Sequence, residues 1–453
     1  MKHFAAFLFL SLLPLMADSG VNVPFEKYKL PNGLRVILAP DNTVPIVTVY
    51  VIYGVGARSE EKGRTGFAHL FEHMMFQGSA NAPKGVHFKT VESNGGTLNG
   101  STHPDYTDYF EILPSNKLAV ALWLESDRMR SLAITKENLD NQKEAVKQER
   151  RLNFDNQPYA TAVSDVFPML AFRNWSNAHS IIGSFEDLNA ATVDDVSKFF
   201  KTYYAPNNAV LTIAGDIKPS EVKKLIDGYF GDIPSQPQPK SPDLTEPEQK
   251  EPRWQTYKDA LARVPGALVA YPGPKRRSPD YYALVMLDVV LTGGESSRLY
   301  LSMVKGRKSL LGFETNLGFP FGNPQDYKDP GMWAGFLFHN PGFNGKQIVA
   351  QFEEEIEKLK STPVDAKELE RARATFRAGR IRALQSTTTR ANLLAQYELL
   401  DGDPGHINSE LEKFLSVTPQ QMQEAARKYF PKEKQSVLEI VPAPSAPPAK
   451  EKK

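Results

Sequence analysis

The chain has 453 residues, of which 41% are hydrophobic and 24% charged, and its formal net charge at pH 7 is +1. This length exceeds what a single hydrophobic core normally supports, so at least two domains are expected. The near-neutral charge without a basic stripe argues against nucleic-acid binding, and the absence of cysteine excludes disulfides as a source of stability.

Residues 1–20 predict a secretory signal peptide. A short basic start, Met1–His3, precedes the apolar run 4–16 (FAAFLFLSLLPLM), and small or polar residues follow at 17–20. The run is too short for a permanent anchor, and no other stretch reaches the roughly 18 apolar residues that a membrane helix needs. We therefore expect a soluble protein without a stable membrane anchor, exported to a bacterial periplasm.

A proline-rich linker predicts a division of the chain into two halves. Residues 233–253 contain six prolines and almost no apolar residues, which is typical of an extended connection. This linker separates a first domain, residues 24–232, from a second domain, residues 254–441. The Pro- and Lys-rich stretch 442–453 is expected to be a disordered tail.

The two halves share an order of predicted elements, which indicates an internal repeat. Each half begins with a strand pattern, at 46–53 and at 267–271. A helical pattern that ends in Gly follows, at 67–78 and at 281–294. Each half also ends with an aromatic pair before a strand. We predict an α+β fold of two homologous domains, each a mainly antiparallel sheet packed with helices.

The segment 65–78 (TGFAHLFEHMMFQG) carries the clearest chemical signal. Its apolar residues recur at helical spacing, so His69 and His73 lie one turn apart on the same face. Two imidazoles in this arrangement can bind one metal ion, and Glu72 beside them can take a proton from water. Burial of these polar groups among Phe and Met would be costly without a metal. The order H-x-x-E-H is the inverted form of the zinc-binding motif H-E-x-x-H.

A catalytic zinc ion takes three protein ligands and keeps one position open. The predicted helix 136–153 offers acidic side chains for the third ligand. Spacing alone does not choose among its four candidates, which are Glu137, Asp140, Glu144 and Glu149. Manganese or cobalt could use the same type of ligands.

With these motifs the chain resembles the pitrilysin and insulin-degrading-enzyme family, which includes the mitochondrial and bacterial processing peptidases. The resemblance extends over nearly the whole chain after the signal peptide. In the family, the third ligand follows the second histidine by about 76 residues, and in this chain Glu149 lies 76 residues after His73. The resemblance implies that His69, His73 and Glu149 bind one zinc ion per chain, with Glu144 as the alternative third ligand. It implies that Glu72 is the general base in peptide-bond hydrolysis.

The segment 94–102 (NGGTLNGST) also resembles the family. There, this strand lies at the edge of the sheet beside the metal, and the substrate peptide adds to it as a further strand. Asn99 matches a position that helps to orient the substrate, and Gly100 and Thr102 are implied to contact it. From the residues alone, a Gly-rich hairpin without a ligand is the alternative.

The second half has Leu284, Leu287 and Asp288 opposite the three motif residues, so no metal site is expected there. The family has an Arg/Tyr pair in this half that grips the substrate. Phe313 stands where Tyr is expected, and phenylalanine cannot donate a hydrogen bond to a developing oxyanion. Phe313 thus remains a candidate substrate contact, but one that cannot donate a hydrogen bond. This departure resembles heterodimeric members, in which a homologous metal-free subunit supplies the pair and four domains enclose a chamber. A homodimer is the alternative.

Two functions other than a peptidase are considered. A scaffold subunit that has lost activity is disfavoured by the intact motif residues. A periplasmic peptide-binding protein would bind peptides between its two domains without a general base, so it would not depend on Glu72.

Overall fold

The structure is a computed structural model that describes residues 20–318 and 327–443. The predicted signal peptide, except Gly20, and the predicted tail from residue 444 onward lie outside the described residues. Among the residues that are described, no helix is long and apolar enough to cross a membrane.

The first half of the chain forms a six-stranded sheet with the order β1-β2-β6-β3-β5-β4. Its strands are β1 (Glu26–Lys29), β2 (Arg35–Pro40), β3 (Ile46–Tyr53), β4 (Thr97–Thr102), β5 (Thr107–Pro114) and β6 (Ala209–Gly215). Only β2 and β6 pair in parallel, and the other pairs are antiparallel. Within residues 20–318 and 327–443, strand β4 pairs with β5 alone and therefore forms one edge of the sheet.

The second half forms a five-stranded sheet with the order β7-β11-β8-β10-β9. Its strands are β7 (Arg253–Asp259), β8 (Gly266–Pro272), β9 (Leu310–Leu317), β10 (Met332–His339) and β11 (Ser436–Pro442). The pair β7–β11 is parallel and the others are antiparallel. Strands β2-β6-β3-β5-β4 have the same order and directions, so the two sheets repeat one topology. The predicted α+β fold with mainly antiparallel sheets is confirmed.

Helices cover both sheets. Those of the first half are α1 (Phe67–Met74), α2 (Val86–Ser93), α3 (Leu118–Ser131), α4 (Lys136–Arg150), α5 (Phe167–Ala171), α6 (Trp175–Ala178), α7 (Phe185–Ala190), α8 (Val193–Tyr203) and α9 (Pro219–Phe230). Those of the second half are α10 (Pro279–Thr292), α11 (Gly345–Ser361), α12 (Ala366–Ala383), α13 (Thr387–Gln396), α14 (His406–Leu415) and α15 (Pro419–Tyr429). A π-helical turn, Arg151–Asp155, continues α4.

Each sheet has one face against helices of its own half and the other face against helices of the opposite half. On the first sheet, Ile37 and Ile52 form a buried cluster with Leu394 of α13. On the second sheet, Leu268 forms a buried cluster with Phe167 of α5. The two halves therefore exchange helices across their outer faces, and the segment that bears α5 spans from the first half to the second sheet.

Candidate metal centre

Helix α1 presents both histidines of the motif on one side. Its residues Leu70, Phe71 and Met74 are buried in the main core of the first half. Because helical side chains four residues apart share a face, this packing turns His69 and His73 together toward α4. Their ring centroids are 4.8 Å apart.

Glu149, in the last turn of α4, completes the donor set. Its Oε2 lies 3.6 Å from Nε2 of His69 and 3.2 Å from Nε2 of His73. The three donor atoms all lie within 4.8 Å of one another. Two imidazole nitrogens and one carboxylate oxygen are the ligands of a three-ligand catalytic zinc site, so the residues fit zinc.

The other acidic candidates on α4 point elsewhere. Asp140 and Glu144 each pair with a lysine of the same helix, and Glu137 is exposed to solvent. Of the four carboxylates, the structure brings only Glu149 to the two histidines. This geometry agrees with the third ligand that the family resemblance implies.

The pKa values of the centre shift in different directions. Burial, together with the positive charge of His73, lowers the pKa of His69 to about 4. Burial also acts to lower the pKa of His73, but its hydrogen bond to Glu149 and the charge of Glu72 raise that pKa overall. The same hydrogen bond lowers the pKa of Glu149. Neutral His69 and ionised Glu149 are the protonation states that bind a metal.

Glu72 lies beside the three donor residues and is held by the edge strand. The hydroxyl of Thr102 donates a hydrogen bond of 2.7 Å to Oε2 of Glu72. Burial raises the pKa of Glu72 above its ordinary value, and the bond from Thr102 partly offsets this rise. A carboxylate with a raised pKa is suited to accepting and returning a proton near neutral pH.

A cleft of about 500 Å³ opens onto His69, Glu72 and Glu149. One wall is the edge strand, including Gly100 and Thr102, and the other walls come from residues 160–164 and 180–182. Of the predicted substrate contacts, Gly100 and Thr102 thus line the cleft.

The two remaining predicted substrate contacts lie outside the cleft lining. Asn99 is exposed on the edge strand, where its side-chain oxygen accepts a hydrogen bond from the backbone N–H of Gly100 (3.0 Å). Phe313 lies on β9, at the edge of the second sheet, and packs half-buried against the core of the second half. The structure therefore does not bring Phe313 to the metal ligands within this chain.

Helix α10 occupies in the second half the place that α1 occupies in the first. Asp288, opposite His73 in the repeat, is half-buried and accepts hydrogen bonds from Nε1 of Trp333 (2.7 Å) and Oγ1 of Thr315 (2.9 Å). Burial raises the pKa of this carboxyl group. Neutral donors thus satisfy Asp288 without a cation.

Glu60, which bonds to the start of α1, and its partner His179 were not predicted from the sequence. The buried carboxylate of Glu60 accepts hydrogen bonds from the backbone N–H groups of Gly66 and Ala68, at the start of α1 (2.9 and 2.8 Å). It also lies 3.0 Å from Nε2 of His179. An acidic residue shortly before a helix was the available signal for Glu60, but no local pattern indicates His179, 119 residues later.

A second group of potential ligands, His87, Glu111 and Glu125, is buried in the same half. The guanidinium of Arg128 pairs with Glu125 and lies 3.5 Å from Glu111. Burial raises the pKa of Glu125 to about 8, so near neutral pH the single positive charge of Arg128 has one carboxylate, Glu111, to balance. The group therefore forms a buried ion network rather than a second metal site.

Fold and site together define a two-domain α+β protein whose first half carries an inverted H-x-x-E-H metal motif, completed by a glutamate from a second helix. Two family models match such a chain in succession. The one described as "Insulinase (Peptidase family M16)" matches residues 35–184, and the one described as "Peptidase M16 inactive domain" matches residues 190–376. The chain belongs to peptidase family M16. The first match contains all four residues of the centre, and the second contains Asp288.

The chain is similar to named proteins over almost its full length. It is 28% identical to "Zinc protease PqqE" of Helicobacter pylori, over 95% of this chain and 97% of that protein. It is 24% identical to "Mitochondrial-processing peptidase subunit beta" of Lentinula edodes, over 90% of this chain and 88% of that protein. A crystal structure of a protease from Helicobacter pylori superposes with a TM-score of 0.86 at 26% identity, covering 93% of this chain and all of the other.

Proposed function

We propose that this protein is a zinc-dependent endopeptidase with His69, His73 and Glu149 as ligands and Glu72 as general base. The observation that carries the proposal is the convergence of two imidazole nitrogens and a carboxylate oxygen within 4.8 Å, next to the half-buried carboxylate of Glu72. Relatives named zinc proteases support zinc as the metal. When bound, zinc supplies Lewis-acid chemistry that polarises a carbonyl group and acidifies water.

Glu72 accepts a proton from the attacking water and returns it to the departing amine. The hydroxyl of Thr102 holds Oε2 of the carboxylate, which leaves Oε1 for this transfer. Burial supports the transfer because it raises the pKa of Glu72 toward the working pH.

The edge strand β4 binds the substrate in this proposal. It pairs on one side only, so the backbone groups of its other side are available to an extended peptide. Such a peptide runs along Asn99, Gly100 and Thr102, of which Gly100 and Thr102 line the cleft together with Glu72. Main-chain pairing gives affinity with little side-chain selectivity, which favours peptides or unfolded segments as substrates.

We further propose that a homologous metal-free subunit completes the enzyme. Phe313 has no hydroxyl to donate and lies outside the cleft lining of this chain. A relative that is itself named a subunit of a processing peptidase supports this arrangement. The four domains of such a heterodimer enclose the chamber, and a homodimer is the alternative. Export to a periplasm is part of the proposal and follows from residues 1–20.

The test is hydrolysis of quenched fluorescent peptides by the purified chain, with and without the metal-free homologue. We expect chelation to abolish hydrolysis, zinc to restore it, and Glu72→Gln to lower the rate by about a hundredfold to ten-thousandfold. Glu144→Gln, an exposed carboxylate on α4, is the control and should retain the rate. A Glu72→Gln variant that hydrolyses peptides as fast as the wild type would contradict the proposal. If the wild type and this variant both bind peptides and neither cleaves them, the protein is better described as a peptide-binding protein.

A further inference from the structure

One loop of the first half contacts both helices that carry the proposed ligands. This cleft loop, residues 179–184, contributes Ser180, Ile181 and Ile182 to the wall of the cleft. The carbonyl oxygen of Gly183 accepts a hydrogen bond of 2.5 Å from Arg150, which follows Glu149 at the end of α4. The cleft loop is thereby tied to the helix of the third ligand.

The same loop is tied to the start of α1. The backbone N–H of Ser184 donates to Oγ1 of Thr65 (3.0 Å). The backbones also touch directly, since a Cβ atom added to Gly66 would lie 2.7 Å from the carbonyl oxygen of Ile182. One added to Gly183 would lie 2.5 Å from the carbonyl oxygen of Thr65. Neither glycine can therefore accept a side chain without separating the loop from the helix.

Glu60 links the start of α1 to the cleft loop by hydrogen bonds. Its fully buried carboxylate accepts hydrogen bonds from the N–H groups of Gly66 and Ala68 and from the ring of His179. A carboxylate at a helix N-terminus is favourable because it meets unpaired N–H groups. A buried charge without a cationic partner is costly, however, and His179 is that partner.

The ring of His179 is held by stacking and by contacts at both of its nitrogens. It stacks on Trp175 with ring centroids 4.0 Å apart and an interplanar angle of 9°. Its Nδ1 lies 3.0 Å from the carbonyl oxygen of Trp175, and its Nε2 lies 3.0 Å from Glu60. Both ring nitrogens thus face oxygen acceptors, an arrangement that fits an imidazolium donating two hydrogen bonds.

We propose that His179 is a positioning residue that, through Glu60, fixes the first turn of α1 against the cleft loop. His69 lies in that turn, three residues after Gly66. A loosened first turn would move His69 relative to Glu149, which the cleft loop holds through Arg150. The consequence for zinc rests on the proposed function, whereas the consequence for the helix does not.

The experiment compares His179→Gln and Glu60→Gln with a matched control, His87→Gln. His87 lies 3.0 Å from a buried glutamate in the same half, and its ring contacts Phe76, beyond the other end of α1. Hydrogen exchange of residues 66–70 is measured in the purified chain without metal, and zinc affinity is measured by competition with a chelator. We expect His179→Gln to accelerate exchange about tenfold and to weaken zinc binding about tenfold. Glu60→Gln should act in the same direction, and His87→Gln should leave both quantities near wild type.

The two measurements separate the possible failures. Unchanged exchange in His179→Gln and Glu60→Gln, or equal acceleration in His87→Gln, would overturn the positioning role. Faster exchange with unchanged zinc affinity would overturn its link to the metal ligands. A wild-type chain that binds no zinc would overturn the proposed function, while exchange at residues 66–70 would still decide whether His179 fixes the helix.

Discussion

Replacement of Thr102 by Val separates two roles for this residue. The family resemblance implies that Thr102 contacts the substrate, whereas the structure directs its hydroxyl to Glu72 at 2.7 Å. Valine keeps the shape of the side chain and the backbone of β4 but removes the donor. Since main-chain pairing with a substrate needs no hydroxyl, the variant tests the support of Glu72 by itself.

The expected magnitude follows from the environment of Glu72. A hydrogen bond to a charged group contributes about 1.5–3 kcal/mol, and the carboxylate is half-buried where it lines the cleft. If the whole contribution is made in the transition state, kcat falls by about tenfold to a hundredfold, because each 1.36 kcal/mol is about tenfold in rate. The bond from Thr102 lowers the pKa of Glu72, so its loss raises that pKa. The acidic limb of the pH–rate profile therefore moves to higher pH.

The assay is steady-state hydrolysis of a fluorescent peptide by the zinc-loaded enzyme, with Thr102→Ser as the control. Serine retains a hydroxyl and should restore most of kcat, and KM should change little in either variant. Zinc content is measured in parallel, since loss of metal would also lower kcat. A rise in KM at unchanged kcat in Thr102→Val would refute the reasoning and return Thr102 to the role of a substrate contact.

Two further predictions concern the third ligand and the buried ion network. Loss of a residue that only supports a metal ligand weakens metal binding by roughly 10–100-fold, so Glu149→Gln, which removes a ligand, should weaken zinc binding by more than this. Chelator competition measures the affinity, and Glu144→Gln is the control that should leave it unchanged. Equal losses of affinity in the two variants would contradict the assignment. Burial raises the pKa of Glu125 from 4.5 to about 8, so the folded chain holds a proton that the unfolded chain releases above pH 4.5. The free energy of unfolding should thus decline as pH rises from 4.5 to 8. Glu125→Gln should make this decline shallower, as measured by thermal melts across that pH range. An equally steep decline in the variant would contradict the raised pKa of Glu125.

The local geometry of the histidine pair was predictable because it depends on helix periodicity alone. His69 and His73 share a face in any helix that buries Leu70 and Phe71. The third ligand depends on which turn of α4 meets α1, a long-range contact that spacing does not determine. The family resemblance supplied Glu149, and the geometry agrees with it.

Helix α1 ends earlier than its apolar pattern predicts. The apolar spacing predicts a helix to Gly78, but α1 ends at Met74. The carbonyl of Gln77 accepts a hydrogen bond from Asn138, and the carbonyl of Gly78 accepts one from the N–H of Ala133. The N–H groups of Phe76 and Gln77 bond three residues back, to the carbonyls of His73 and Met74, so the chain leaves the α-helix before Gly78. The segment before α4 takes up the carbonyl groups that follow.

The exchange of helices between the halves was not predictable from the linker. Equal halves around a proline-rich stretch suggest that each half packs against itself. Instead, Leu394 of α13 lies in a cluster with Ile37 and Ile52, and Phe167 of α5 lies in one with Leu268. Apolar residues on a helix indicate that the helix is covered, but they carry no information about which sheet covers it.

The contrast between the two halves supports a metal at α1 on physical grounds. At α10, Asp288 is satisfied by neutral donors from Trp333 and Thr315, so this position needs no cation. At α1, two imidazoles and the carboxylate of Glu149 gather around one point, and the carboxylate of Glu72 lines the same cleft. Such a group costs desolvation energy that only a bound cation offsets fully. At equivalent positions of the same topology, the polar group of the second half is therefore satisfied by hydrogen bonds, whereas that of the first half faces a cleft.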